Sequence, residues 1–291
     1  KFFLLISFFT FNASSILSAS GNNALSKNNN VSPEFLEKGK FLFLQFCAHC
    51  HGSRGRGDGF NAEFIDKDPA ELSDPKFQAK RSNKKLFRVI SLGGAKVKKS
   101  HLMPAFGHTL SEVEIWSLVA FIRYLGKDIS SVVVPDNAKS ERPLRPVLTK
   151  EEILSFSKWF ADKGKAKEQT DSGKILVMNK KSCLGCHQLN EEGGRIGPSL
   201  NRSSFNYKPE WLYAWISNPQ NFRPNTKMPN LGLKPEEARA ITSFLISFQP
   251  EEEDEKFKIH EGWKQYLSSE GDPKRGEKIF HDPEGIANCS K

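Results

Sequence analysis

The pentapeptide Cys47-Ala48-His49-Cys50-His51 recurs as Cys183-Leu184-Gly185-Cys186-His187. Each copy is followed at a distance by a Met-Pro pair. Met103-Pro104 lies 52 residues after His51, and Met228-Pro229 lies 41 residues after His187. The surroundings repeat as well. Phe35, Leu36, Gly39, Leu42, Phe43 and Phe46 recur at helical spacing behind Pro33 and run into Cys47. Leu86, Val89 and Ile90 predict a short helix ended by Gly93-Gly94. The capping box Ser111-Glu112-Val113-Glu114 opens another helix, which Gly126 closes. In the second copy, Gly173 to Val177 approach Cys183, and Trp211, Leu212, Trp215 and Ile216 form the middle helix. Pro235-Glu236-Glu237 open the last helix, with Pro and acids suited to a helix start. The repeat predicts an all-α chain built from two small helical units in tandem.

C-x-x-C-H is the attachment pattern of c-type haem. Each cysteine adds across a vinyl group to form a thioether, and the histidine becomes an axial iron ligand. Cys47, Cys50 and His51 are thus the candidate residues of one site, and Cys183, Cys186 and His187 those of another. Units of this size have small cores, which a covalently held cofactor would reinforce. A zinc reading of the cysteine pairs is an alternative. The histidine directly after each pair and the export pattern described below argue against it.

The chain has three methionines. Met178 precedes Cys183 on the approach helix and is poorly placed to reach the opposite face of the iron. Met103 and Met228 sit in loops that the following proline stiffens. They are the expected second axial ligands, Met103 with His51 and Met228 with His187. His/Met ligation raises the reduction potential relative to His/His. His101 and His108 flank Met103 as rivals, and the alternative for any one methionine is core packing. His49 is an interior residue of its own motif and is expected to face away.

The N-terminus has a different character. Lys1 precedes an apolar run from Phe2 through Leu17, and Ser18-Ala19-Ser20-Gly21 supplies small residues. This is a signal-peptide pattern, with a retained anchor as the alternative. The run of about 16 residues is shorter than the roughly 20 that span a bilayer. With no Met at position 1, the sequence is expected to lack its first residue or residues. Export to the periplasm follows as an expectation, and with four of five cysteines assigned to haem, no disulfide is expected. The formal charge is +9. Lys80, Arg81, Lys84, Lys85, Arg88, Lys96, Lys98 and Lys99 form a cationic run with no Asp or Glu. It reads either as a solvated face or as a docking surface for an acidic redox partner. An exported chain without a nucleic-acid motif is not expected to bind nucleic acid.

These segments resemble class I cytochrome c domains. Gly55-Arg56-Gly57-Asp58-Gly59, Pro69-Ala70-Glu71-Leu72, Gly93-Gly94, Met103-Pro104-Ala105-Phe106 and Leu110-Ser111 match the oxidase-associated branch. Gly197-Pro198-Ser199-Leu200 and Thr226-Lys227-Met228-Pro229 carry the match in the second unit. The resemblance implies that the Pro198 carbonyl accepts from His187 Nδ1–H, which orients the ring. In the first unit Pro69 sits further from its motif, and the counterpart is left open. The implied organisation is a signal segment 1–20, a tether 21–32, a first domain 33–127, a linker with a helix 128–169, a second domain 170–249, an acidic linker 250–270 and the start of a truncated third domain at 271–291. Gly271 to Phe280 resembles another approach helix, and Cys289 resembles the first cysteine of an incomplete third site.

The expected function is electron transfer by haem c, with two complete sites here and a third in a longer parent protein. Alternatives are a haem-bearing subunit of a membrane oxidase or reductase complex, or a multihaem enzyme of peroxidase or thiosulfate-oxidising type. A methionine for each complete site counts against the open iron position that such an enzyme uses.

Overall fold

A computed structural model describes residues 31–129, 131–143, 147–203 and 207–248, together with Asp272 and Lys274. The signal segment, most of the tether and the third-copy residues including Cys289 lie outside the described residues. The chain divides into two units, Lys1–Phe248 and Gln249–Lys291. In the second unit the Lys274 N–H donates to Asp272 Oδ1 at 3.0 Å.

Within the first unit the helices come in two similar sets. Helix α1 (Pro33–Phe46) starts at Ser32, whose hydroxyl accepts from the Phe35 N–H at 3.2 Å, with Pro33 in the first turn. Its apolar stripe of Phe35, Leu42 and Phe43 packs against α5 (Glu112–Leu125). Between them stand the single turn α2 (Ala48–His51), α3 (Pro75–Ala79) and α4 (Asn83–Lys96). Helix α4 breaks at Gly93, where φ is 75°, rather than ending there, and resumes for one short turn. The expected capping box is formed: the Ser111 hydroxyl accepts from the Glu114 N–H, and the Glu114 carboxylate accepts from the Ser111 N–H.

The second set begins with α6 (Lys150–Ala161) and α7 (Lys163–Ile175), followed by a wide turn over Leu176–Lys180. Then come α8 (Leu200–Ser203), α9 (Pro209–Ser217) and α10 (Pro235–Ile246). A two-residue hairpin, β1 (Gln188–Leu189) against β2 (Glu192–Gly193), follows the second cysteine motif. Helix α6 packs on this second set. Phe156, fully buried, stacks on Tyr213 with ring centroids 4.2 Å apart. By contrast Val132, Val134 and Ala138 pack on the first core, so the segment between the domains divides its packing between both.

The repeat has a steric basis. Gly39 on α1 lies against Ser117 of α5, and Gly173 on α7 lies against Ala240 of α10; a Cβ at either glycine would run into the facing backbone carbonyl. In each set the approach helix therefore crosses the last helix at the distance that a missing side chain permits.

Polar staples close the first set. Arg123, buried on α5, donates to Asn83 Oδ1 at 2.6 Å, to Gln78 Oε1 at 2.7 Å and to the Arg81 carbonyl. Glu114 takes a two-bond ion pair from Arg142, with Lys38 at 3.5 Å. Among the described residues no helix is long and apolar enough to cross a membrane.

Candidate haem-binding sites

Helix α1 delivers the first motif. The Cys47 N–H continues the helix by donating to Phe43 O, and the following turn is closed by His51 N–H to Cys47 O at 2.9 Å. Cys47, Cys50 and His51 thereby share the wall of one cavity of about 370 Å³. Met103 lines the same cavity, with Leu86, Ile90 and Phe106 among its apolar walls. The methionine loop is held by backbone. Gly94 N–H donates to Met103 O at 3.0 Å, Phe106 N–H donates to Ile90 O at 3.0 Å, and the left-handed Gly93 leaves room for the backbone of residues 103–105. The expected end of α4 at Gly93-Gly94 is thus the seat of the Met103 loop.

His51 Nδ1 lies 2.9 Å from the carbonyl oxygen of Ala70, the residue after Pro69. With Nδ1 donating there, Nε2 carries the free lone pair. Burial lowers the imidazole pKa, with the Ala70 bond opposing it, which favours the neutral form that binds iron. Burial also pushes the Cys47 thiol up to about 12, with the neighbouring Cys50 adding to it.

The second motif follows the wide turn. Cys186 N–H and His187 N–H both donate to Cys183 O, at 3.1 and 2.8 Å. His187 Nδ1 lies 2.7 Å from Pro198 O, and Gly197 leaves no space for a Cβ against the His187 ring. Burial lowers the His187 pKa against the Pro198 bond. It raises Cys183 to about 11 and Cys186 to about 12, the latter helped by Cys50 and Cys183. Cys183 and Met228 pack against the same apolar cluster. Three contacts hold Met228: its N–H donates to Thr226 Oγ1 at 3.3 Å, its carbonyl accepts from Gln220 Nε2 at 2.8 Å, and its sulfur accepts from Trp215 Nε1 at 3.1 Å.

The two histidines that flank Met103 make other contacts. His101 Nε2 lies 3.1 Å from Met178 O, and His108 lies against Gly232. Met178 packs on the second core, as Met228 does, and His49, expected to face away, lines the first cavity with its Nε2 3.0 Å from Gln45 O. The four described cysteines are unpaired. Among the described residues no three His, Cys, Asp or Glu side chains converge as a metal site. The donors present do fit a covalent haem: paired protonated thiols, a neutral imidazole with a free Nε2, and a thioether in the same apolar surroundings.

The cytochrome c family model matches residues 36–126 and 171–249, and so covers both motifs with their helices. The chain belongs to the cytochrome c family. It is a class I c-type cytochrome with tandem domains, and membership brings covalently bound haem c and electron transfer with it. Its relatives include cytochrome c of Cochliobolus lunatus, 31% identical over 100 residues, which are 27% of this chain and 93% of the relative. Cytochrome c of Arabidopsis thaliana is 28% identical over 99 residues, covering 26% of this chain and 88% of the relative. Cytochrome c of Stellaria longipes is 31% identical over 102 residues, covering 28% and 92%. A chain of the solved Kuenenia stuttgartiensis reducing HAO-like protein complex aligns at 18% identity with a TM-score of 0.27, covering 78% of this chain and 100% of that one.

Sequence reasoning assigned no site role to Ala70, Gln220 or Trp215. The sequence places Trp215 on the middle helix with Trp211 and marks no site role for it.

Proposed function

We propose that this cytochrome is an exported, periplasmic electron carrier with two c haems, each held by His/Met axial ligation: His51 with Met103, and His187 with Met228. The observation that carries this reading is the shared apolar cavity of Cys47, Cys50, His51 and Met103, in which His51 offers Nε2 because Nδ1 is committed to Ala70. A bound haem supplies a one-electron iron couple. The chain's residues do the rest. Ala70 and Pro198 carbonyls orient the histidines, the stiffened Met loops present thioethers, and the apolar walls exclude water, which favours a high potential. The N-terminal signal pattern supports export.

The partner surface is the cationic run. Lys80, Lys84, Lys85, Arg88, Lys96, Lys98 and Lys99 are exposed, while Arg81 lies over the Phe77 ring at 3.9 Å. Arg81, Lys98 and Lys99 also line the first cavity, so the positive patch borders the first haem site. An acidic redox protein docking there would approach that site through a small, transient interface, typically under about 1,200 Å². The test is spectroscopic. The ferric protein is expected to show the near-infrared thioether-to-iron charge-transfer band, and M103A and M228A are each expected to remove one haem's share of it. A bis-histidine spectrum in the unaltered protein would overturn the ligand assignment.

A further inference from the structure

We propose that Asn61 is a positioning residue that clamps the two haem-attachment motifs together, so that the two haems exchange electrons directly across the Cys50–Cys186 seam. The proposal rests on the two-haem reading above. Asn61 is fully buried although it lies in a loop. Its backbone N–H donates to His49 O at 2.8 Å, which ties it to the first motif. Its side chain reaches the second. Nδ2 donates to Gly185 O at 2.7 Å, and Oδ1 accepts from the Arg195 N–H at 2.8 Å. The same Nδ2 lies 3.4 Å from Cys50 Sγ. One amide thus spans the sulfur of one motif and the carbonyl beside the second cysteine of the other.

The second motif is shaped for this contact. Gly185 has no room for a Cβ against the Leu102 carbonyl, and a Cβ on Gly194 would meet both ends of the Asn61 amide. Residues 194–197 are in turn bonded back to the motif: Gly194 N–H to Leu184 O at 2.8 Å, and Ile196 and Gly197 N–H to Cys186 O at 3.0 and 2.8 Å. Gly185, Cys186 and Ile196 form part of the wall of the cavity that holds His51 and Met103. A group attached at Cys50 therefore has the second attachment motif as its neighbour. Arg195 reinforces the seam, its guanidinium 4.2 Å from the Phe64 ring centre.

A simple interface would be served by apolar contacts. A buried amide whose Nδ2 meets Cys50 Sγ in one motif and Gly185 O in the other, and whose oxygen accepts from Arg195 N–H just after the second, fixes the separation and orientation of the two motifs. The step is one electron from the ferrous iron of one haem to the ferric iron of the other. No bond breaks and no proton moves, and the first electron comes from a one-electron reductant such as photoreduced flavin.

The experiment is proton NMR of the full chain, half-reduced with photoreduced flavin and followed through the shifted haem-methyl resonances at several protein concentrations. The one-electron-reduced chains of the unaltered protein are expected to give one averaged set of positions, between those of the fully ferric and fully ferrous chains, at every concentration, because exchange is intramolecular. Asn61→Leu is expected to lose that averaging while haem content and axial-ligand spectra stay unchanged. Separate lines for the two one-electron-reduced forms of the unaltered protein, or averaging between them that appears only at high concentration, would overturn the seam and leave the electron-carrier reading standing. Averaging retained in N61L would overturn the role of Asn61. Should N61L fail to load haem, the concentration series on the unaltered protein decides the seam. Fewer than two haems in the unaltered chain would defeat the two-haem reading and this proposal together.

Discussion

The indole N–H of Trp215 donates to the sulfur of Met228 at 3.1 Å. A thioether sulfur has two lone pairs, so this bond leaves one for iron while drawing density from the atom that would give it. Weaker donation destabilises the ferric state and raises the potential. Trp215→Phe keeps an aromatic ring beside Trp211 and Phe222, whose centroids lie 5.4 and 6.0 Å away, and removes only the donor. A net bond of about 1 kcal/mol corresponds to roughly 40 mV for a one-electron couple. The second haem's potential is expected to fall by that order in a redox titration, with the first unchanged.

Gly197 stands against the imidazole of His187 with no space for a methyl group. Gly197→Ala is expected to displace the ring from Pro198 O and impair loading of the second site alone. Haem content by pyridine haemochrome should fall from two per chain towards one. A normal count would remove Gly197 from this role.

Glu114 contributes to the pH dependence of the fold. Burial raises its pKa, but the hydrogen bonds from Arg142 and Ser111 and the charges of Arg142 and Lys38 outweigh it and hold the carboxyl below its ordinary value. A folded pKa below the unfolded one contributes stability above the unfolded pKa, and the contribution is lost as pH falls through the folded pKa. Glu114→Gln is therefore expected to destabilise the protein by about 2 kcal/mol at neutral pH, the order of a charged hydrogen bond. The difference should close in acid. Urea unfolding of both proteins at neutral and acidic pH checks this.

An alanine at an ordinary helical glycine stabilises by about 1 kcal/mol. At Gly39 and Gly173 the sign should reverse, because the new methyl meets a backbone carbonyl that cannot move aside. Overpacking costs about 1–3 kcal/mol. Each variant is expected to lower Tm, and a raised Tm in either would contradict the close helix crossing.

These two glycines illustrate how much of the structure the sequence carries. They were recognisable as equivalent positions ahead of each cysteine motif, but not as crossing points, because the facing residues lie far along the chain. The helices were legible where caps and apolar spacing agree, as at Ser111-Glu114 and Pro235. Lys163 to Glu168 gave no apolar rhythm, so the true start of α7 was hidden. The hairpin was hidden too: its turn places Asn190 and Glu191 at φ of 50° and 70° without the usual glycine. Of the site, the attachment residues follow from a local pattern. The carbonyl facing His51 belongs to Ala70, 19 residues on, against 11 for Pro198 and His187, and a longer loop is not readable by analogy with a shorter one. Asn61 was invisible because its partner Gly185 is 124 residues away.

The cationic patch has its own test. Reversing Lys84, Lys85 and Arg88 to Glu is expected to slow oxidation by an anionic complex such as ferricyanide and speed that by a cationic cobalt complex. Both effects should shrink with added salt. Equal rates for the two proteins would identify the patch as a solvated face.

The central proposal is that histidine and methionine are the iron ligands at both motifs, His51 with Met103 and His187 with Met228. Near-infrared magnetic circular dichroism of the ferric chain beside M103A and M228A tests it most directly. The account predicts a thioether band from two haems, of which M103A removes the first site's part and M228A the second's. A band that neither substitution alters, or a bis-histidine spectrum before any substitution, would contradict it.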